Sequence, residues 1–342
     1  MISYLKTHPY LVLLSCLIFL SCSKNDNPVS SKTSVYSANF DAIWQNFDRD
    51  YVFFNYKKID WNLSYNNYHS QVNNATNYDD FITIIKNMLI PLKDVHVWVK
   101  KSNNEFVQPF FPSYTVNWNQ GIWQKYISNY KWHQNNSAWG WFMQDSIAYI
   151  AITNWNKDQI LLQDFDAVMD SIRGCKGIII DIRMNGGGYG PLAGSIGGRF
   201  VSDKFNCGYI QMRNDNNHND FTDMTSLEYP KRGDWQFTKT IILLIGRGCF
   251  STSEIFAAGM TKLPNCITIG DTTGGGCSNS RQFNLSDGTI YTVSDQLIFD
   301  TDKKIIESNG IPPQVKVNWD LNLVSQKKDP VLDYAFNLLK NK

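Results

Sequence analysis

Two apolar runs, Gly177–Ile182 and Ile241–Ile245, constrain the fold of this chain more than any other feature. A continuous β-branched run of this kind has no polar face to turn to water, so it belongs to a strand buried on both sides, inside a sheet covered by helices. The flanking pattern agrees. Strand Ile147–Ile152 precedes a helix over Asp164–Arg173, strand Gly177–Ile182 precedes a helix near Leu192–Phe200, and strand Ile241–Ile245 precedes a helix over Thr252–Leu263 and a strand at Ile267–Ile269. Such alternation predicts an α/β fold of βαβ units with right-handed crossovers. Gly288–Phe299 reads as one or two antiparallel strands over the sheet's end. Ligand sites in open α/β sheets lie beyond the carboxyl ends of strands, where Asn185–Gly188 and Ser251 both fall.

The second run feeds through Gly246-Arg247-Gly248 into Cys249-Phe250-Ser251-Thr252-Ser253-Glu254. A helix start carries unpartnered N–H groups and the positive end of the macrodipole, which stabilise negative charge. A hydroxyl at Ser251 can therefore attack a carbonyl while the Thr252 N–H helps to hold the developing oxyanion. The plain reading is a capping box, Ser251-x-x-Glu254. The first run ends in Asn185-Gly186-Gly187-Gly188, where Gly186 or Gly187 offers a second oxyanion donor because glycine lets backbone approach another group closely. No Gly-Lys-Ser/Thr follows, so this turn is not a phosphate-binding P-loop. Cys249 rivals Ser251 as nucleophile, but it lies on the strand side of the turn, away from the helix amides, and reads as buried.

Together the two segments resemble the C-terminal processing peptidase and tricorn-core family of serine peptidases, with its Asp-x-Arg-x-Asn-x-Gly-Gly strand-turn (from Asp181) and Ser-x-Ser-Glu nucleophile turn (from Ser251). Asp60-Trp61, Leu92-Lys93-Asp94-Val95-His96, Gly270-Asp271-Thr272-Thr273-Gly274-Gly275 and Glu307-Ser308-Asn309-Gly310-Ile311-Pro312-Pro313 follow the family's order. The resemblance implies a crotonase-like (ClpP-like) β/α spiral core with an N-terminal helical cap. In the Ser-Lys branch a lysine follows the nucleophile at a position that is Gly276 here, and no lysine lies between Lys262 and Lys303. The resemblance then implies the histidine-base branch, with His96 as general base and acid, a role suited to an imidazole that titrates near neutrality. His8, His69, His133 and His218 have no motif context. The orienting acceptor is Glu307 or Asp94; the serine that precedes the histidine in the tricorn-like branch is Val95 here.

Leu11–Leu20 is an apolar stretch of signal-peptide length, preceded by Lys6, and Phe19-Leu20-Ser21-Cys22 resembles a lipobox. Residues 1–22 are thus expected to be a lipoprotein signal peptide with lipidation at Cys22, and 23–34 a flexible tether. The expected divisions beyond are a helical cap over 35–95, where Phe40, Ile43, Trp44, Phe47 and Tyr51 recur at helical spacing, an aromatic-rich β connection over 96–146, and a peptidase core over 147–342. The tryptophans of the connection read as packing aromatics in preference to a glycan platform. No PDZ domain is evident there.

A net charge of +1 without a basic stripe argues against nucleic acid. No cysteine or histidine spacing suggests a metal, and no cofactor is expected. Five cysteines lie beyond the leader, an odd number, so at least one thiol is expected to stay free. These readings converge on a lipid-anchored serine peptidase of a bacterial envelope, acting on extended or unfolded polypeptide. The alternative is a non-catalytic peptide- or hydrophobic-ligand-binding relative, since retinoid-binding proteins of the eye carry the same fold.

Overall fold

The computed structural model of the protein describes residues 32–214 and 217–341, so the lipobox and Cys22 lie outside the described residues. The chain enters through three helices, α1 (Lys32–Asp50), α2 (Trp61–Val72) and α3 (Tyr78–Leu89). The spacing of Phe40, Ile43 and Phe47 gathers them on one fully buried stripe of α1, continued by Tyr51 just beyond it. Side chains of Asp60 and Asn77 cap α2 and α3 by accepting backbone N–H bonds from Leu63 and Asp80. A 3-10 turn at Ile90–Leu92 ends on Lys93 in the left-handed region, φ 46°. That turn throws the chain through Asp94-Val95-His96 toward β1 (Val99–Lys100), which pairs antiparallel with β2 (Phe106–Val107).

The aromatic-rich stretch differs from the expected β connection: it carries a helix, α4 (Gln120–Ser128), capped by Asn119, before β3 (His133–Gln134). Asn119 accepts the Ile122 N–H and so nucleates a turn that aromatic composition alone does not announce. Its tryptophans pack. Trp123 donates to the Tyr149 hydroxyl at 2.7 Å, and the Trp132 ring meets Phe142 edge-on.

Next come β4 (Trp139–Gln144), β5 (Ile147–Ile152), α5 (Leu162–Ser171), β6 (Gly177–Asp181), α6 (Gly190–Gly197), β7 (Phe205–Met212), β8 (Thr225–Tyr229), β9 (Thr240–Ile245) and α7 (Thr252–Met260). The chain finishes with β10 (Cys266–Gly270), β11 (Ser280–Asn284), β12 (Ile290–Ser294), β13 (Gln296–Phe299), β14 (Val315–Lys316), α8 (Leu321–Ser325) and α9 (Pro330–Lys340). The central sheet runs β14-β10-β9-β6-β5-β4-β3, parallel from β14 to β5 and antiparallel through β4 and β3. Alternate residues of β6 go to opposite faces, Ile178 and Ile180 to the core shared with α5, α6 and α7, Ile179 to the core shared with α9. Burying each isoleucine stabilises the sheet by roughly 1.5–3 kcal/mol, which is why both runs are almost wholly apolar.

Gly288–Phe299 divides between two sheets. β12 sits between β11 and β1 in a four-stranded sheet, β11-β12-β1-β2, while β13 joins β7 and β8. Tyr291 and Val293 of β12 pack into the same core as Phe40, Phe47 and Phe81 of the cap. A strand from late in the chain thereby completes the sheet that carries the segment after His96. All five cysteines of the described residues are free and buried. An odd count requires one unpaired thiol; here every one of the five is unpaired.

Candidate active site

At the end of β9 the chain turns sharply, and Ser251 takes φ 56° and ψ −126° before α7 begins. A non-glycine residue there costs about 1–3 kcal/mol and persists only when its surroundings over-determine it. They do so here. The Ser251 N–H donates to the Gly276 carbonyl at 2.8 Å, and the Phe250 N–H donates to the Asn185 carbonyl at 3.3 Å. The capping box expected from Ser251-x-x-Glu254 does not form, because a capping serine needs extended backbone and the positive φ turns the Ser251 hydroxyl away from the helix. Fully buried Glu254 instead accepts from Thr273 Oγ1 at 2.6 Å and from the N–H groups of Gly275 and Gly276 at 2.8 and 2.9 Å. Burial pushes its carboxyl up to about 7 despite those bonds. Glu254 thus fixes the loop whose carbonyl fixes Ser251.

The glycine turn is built from its own motif. Asp181 binds Arg183 through two bonds, Oδ1 to Nε at 3.0 Å and Oδ2 to Nη2 at 2.7 Å, and Arg183 Nη1 reaches Asp329 at 3.0 Å. All three are buried, so the charges are paired where water cannot reach. Gly187 has φ 109°, and a Cβ there would lie 2.7 Å from Ser251 Cβ and 3.2 Å from its Oγ, so only glycine lets the two turns touch. The Gly187 N–H donates to Asn185 Oδ1 at 3.0 Å, which takes this expected oxyanion donor out of use in the present arrangement. The N–H groups of Gly186 and Thr252 have no acceptor among the described residues. Thr252 Oγ1 donates to the Gly188 carbonyl at 2.6 Å, tying the helix start to the turn.

His96 is half-buried on the segment leading into β1. Its carbonyl accepts from Thr292 Oγ1 at 2.7 Å and Ser280 Oγ at 3.2 Å, and its N–H donates to Asp94 Oδ1 at 2.8 Å. Among the described residues no hydrogen bond joins His96 to Ser251. The two are neighbours across one ridge: Val95 is within contact of Gly276, which holds Ser251, while Gly186 and Phe250, which line the His96 cavity, adjoin Gly187 and Ser251 in the chain. Burial lowers the His96 pKa below 6.5, the nearby Asp94 carboxylate opposes that shift, and Lys57 adds to it.

Glu307 does not reach the imidazole. Its Oε1 lies 2.6 Å from Lys57 Nζ and its Oε2 accepts the Cys277 N–H at 3.0 Å. Desolvation and the Asp94 charge push the Glu307 carboxyl up to about 8. Lys57 was not singled out by the sequence, because a lysine after a helix reads as solvent-facing; here its side chain is 9% exposed, and the ammonium lies 3.9 Å from Asp94 Oδ2. Buried His96 Nδ1 has no hydrogen-bond partner among the described residues, and Asp94 Oδ2 has the Lys57 ammonium as its ionic partner. Cys249 is buried, its Sγ directed at the Ile182 carbonyl, and burial raises its thiol pKa, so it is not a competing nucleophile.

Two cavities flank the ridge. One, about 760 Å³, takes in Ser251 and Thr252 with Tyr189, Ile255, Phe256 and Ile298 in its wall. The other, about 410 Å³, takes in His96 with Phe111, Tyr114, Met184, Arg247 and Phe250.

The Ser251 turn and the glycine turn stand at the carboxyl ends of parallel strands, with half-buried His96 on a neighbouring segment, in a fold of the serine-type peptidase class. The chain belongs to peptidase family S41, whose model matches residues 146–317, and residues 35–90 match the Tricorn protease C1 domain. It is 26% identical over 191 residues to the carboxy-terminal processing protease CtpA of Bacillus subtilis (strain 168), a match that takes in 55% of this chain but only 38% of that protein. A candidate peptidase of Parabacteroides merdae ATCC 43184 superposes with a TM-score of 0.81 at 26% identity, over 90% of this chain and 97% of that one. Mature CPAF complexed with lactacystin shares the fold at a TM-score of 0.67 and 10% identity, over 90% of this chain and 98% of that one.

Proposed function

We propose that the protein is a lipid-anchored peptidase that hydrolyses extended or unfolded polypeptide through an acyl-enzyme on Ser251. His96 takes the hydroxyl proton as Ser251 attacks the carbonyl, and returns it to the leaving amine. The Thr252 N–H and the Gly186-Gly187 turn stabilise the oxyanion, Gly187 by exchanging Asn185 for substrate. Asp94 orients the imidazole: its Oδ1 already accepts the His96 backbone N–H at 2.8 Å, whereas the oxygens of Glu307 are engaged by Lys57 and the Cys277 N–H. Glu307 then acts through Lys57, holding the ammonium beside Asp94. Water releases the acyl group by the same route. The reaction requires His96 to come within hydrogen-bond reach of Ser251 when substrate binds, as catalytic hydrogen bonds commonly tighten only in the complex.

The observation that carries this reading is the positive φ of Ser251 with Gly187 packed against its side chain. Casein or peptide turnover by the parent and by Ser251→Ala tests it: turnover should vanish in the variant with folding intact, and equal turnover refutes it. The missing His96–Ser251 bond favours a second reading, a passive peptide-binding cleft, which predicts binding by both proteins and turnover by neither. Anchoring rests on the lipobox residues Phe19 to Cys22, and placement in a bacterial envelope follows from it. Incorporation of labelled fatty acid should be lost in Cys22→Ala.

A further inference from the structure

We propose that the residue after the scissile bond is bulky and apolar and sits in the aromatic cavity beside His96. This rests on the catalytic reading above. The base that protonates the leaving amine stands on the leaving-group side, so the cavity containing His96 receives the amine half and the cavity containing Ser251 and Thr252 receives the acyl half. The direction of the bound chain follows from which residue lines which cavity.

The amine-side cavity presents large apolar groups that nothing else covers. Phe111 is 66% exposed, Tyr114 42% and Met184 37%, all three on one small concave wall. Clustered exposed apolar side chains mark a binding surface, where scattered ones do not. Phe111 is braced against Phe250 at 5.7 Å between centroids, and the Arg247 guanidinium sits over the Tyr114 ring at 4.7 Å. Arg247 is the permanently charged group of this wall, and no carboxylate lines it. Arg247 donates to the Thr273 carbonyl at 3.2 Å, with Asp271 at 3.9 Å, and its side chain stays 28% exposed. An aromatic or long aliphatic residue therefore fits, and a lysine or arginine is repelled. The acyl-side cavity is mixed, with Ile255 beside Ser226, Glu228, Asn279 and Gln296, and sets no apolar requirement.

The test is a mixed peptide library cleaved by the purified protein and mapped by mass spectrometry, in the parent and in Phe111→Asp. Peptides with Phe, Leu or Met after the cut should be turned over at least about tenfold faster than those with Lys, the discrimination one apolar pocket provides. Phe111→Asp should erase that preference and leave the preference before the cut unchanged. Cleavage indifferent to the following residue, or a preference untouched by Phe111→Asp, overturns the proposal. No cleavage by the parent refutes the hydrolase reading instead. The pocket is then judged by calorimetry on Ser251→Ala with Phe-Gly-Gly amide and Lys-Gly-Gly amide: tighter binding of the first by about tenfold upholds the cavity assignment, and equal binding overturns it.

Discussion

Lys57 and Glu307, 250 residues apart in the chain, meet at 2.6 Å in the interior, where their side chains are 9% and 2% exposed. The pair ties the loop after α1 to the loop before β14, and Asp94 lies 3.9 Å away on its other side. Removing the cation leaves Asp94, and above about pH 8 Glu307 as well, buried without a counter-charge. Lys57→Met should therefore cost about 3–5 kcal/mol, the usual penalty for breaking one side of a buried pair, read as a fall in the urea midpoint. A change under about 1 kcal/mol would show that water reaches the pair.

Asp94→Asn should lower kcat by about 10²–10⁴-fold with KM little changed, because the amide cannot hold the imidazole tautomer that accepts the serine proton. Glu307→Gln should have a smaller effect on kcat, since Glu307 touches Lys57 and the Cys277 amide and not the imidazole. Steady-state kinetics of the two variants separate the roles. A larger loss in Glu307→Gln would return the orienting role to that residue.

The acid limb of kcat/KM should have its midpoint below pH 6.5, because burial disfavours the imidazolium of His96. A midpoint above 6.5 would mean that Asp94 outweighs burial and Lys57.

Stability should move with pH in the opposite sense to ordinary acid denaturation. Glu254 and Glu307 are raised from 4.5 to about 7 and about 8, so the folded protein binds more protons than the unfolded chain between those values. Their contribution is complete below pH 4.5 and is lost as the pH climbs through 7 and 8. Urea midpoints at pH 5 and pH 8.5 check this, and a rise toward the higher pH would contradict it.

Gly187→Ala should abolish turnover and destabilise the protein. Its φ of 109° strains any L side chain, and the new Cβ would stand 2.7 Å from Ser251 Cβ. Thermal melting together with peptide turnover measures both effects; an active, unshifted variant would show that the glycine turn does not press on the serine.

The strands and helices of the parallel core were legible because each carries a period and a boundary of its own: β5 spans the expected Ile147–Ile152, and Ile241–Ile245 falls inside β9. The turns at Gly187 and Ser251 were legible as candidates because glycines and a helix-start serine have few other uses at strand ends. β7 and β8 were missed, since their mixed polar and apolar residues give neither a clean alternation nor a continuous run. Lys57 was missed because a charge buried by residues 250 positions away leaves no local mark. The capping box failed for a similar reason. Glu254 fits the local pattern, but Thr273, Gly275 and Gly276 compete for its carboxylate from beyond β10, and they win.

The pairing of Ser251 with His96 is tested most directly by fluorophosphonate labelling with mass-spectrometric mapping of the adduct. The expected result is one adduct on Ser251 in the parent protein, absent in Ser251→Ala and formed at least about 100-fold more slowly in His96→Ala, the contribution expected of a positioned base. Labelling of His96→Ala at the parent rate, or no adduct on Ser251 at all, would contradict it.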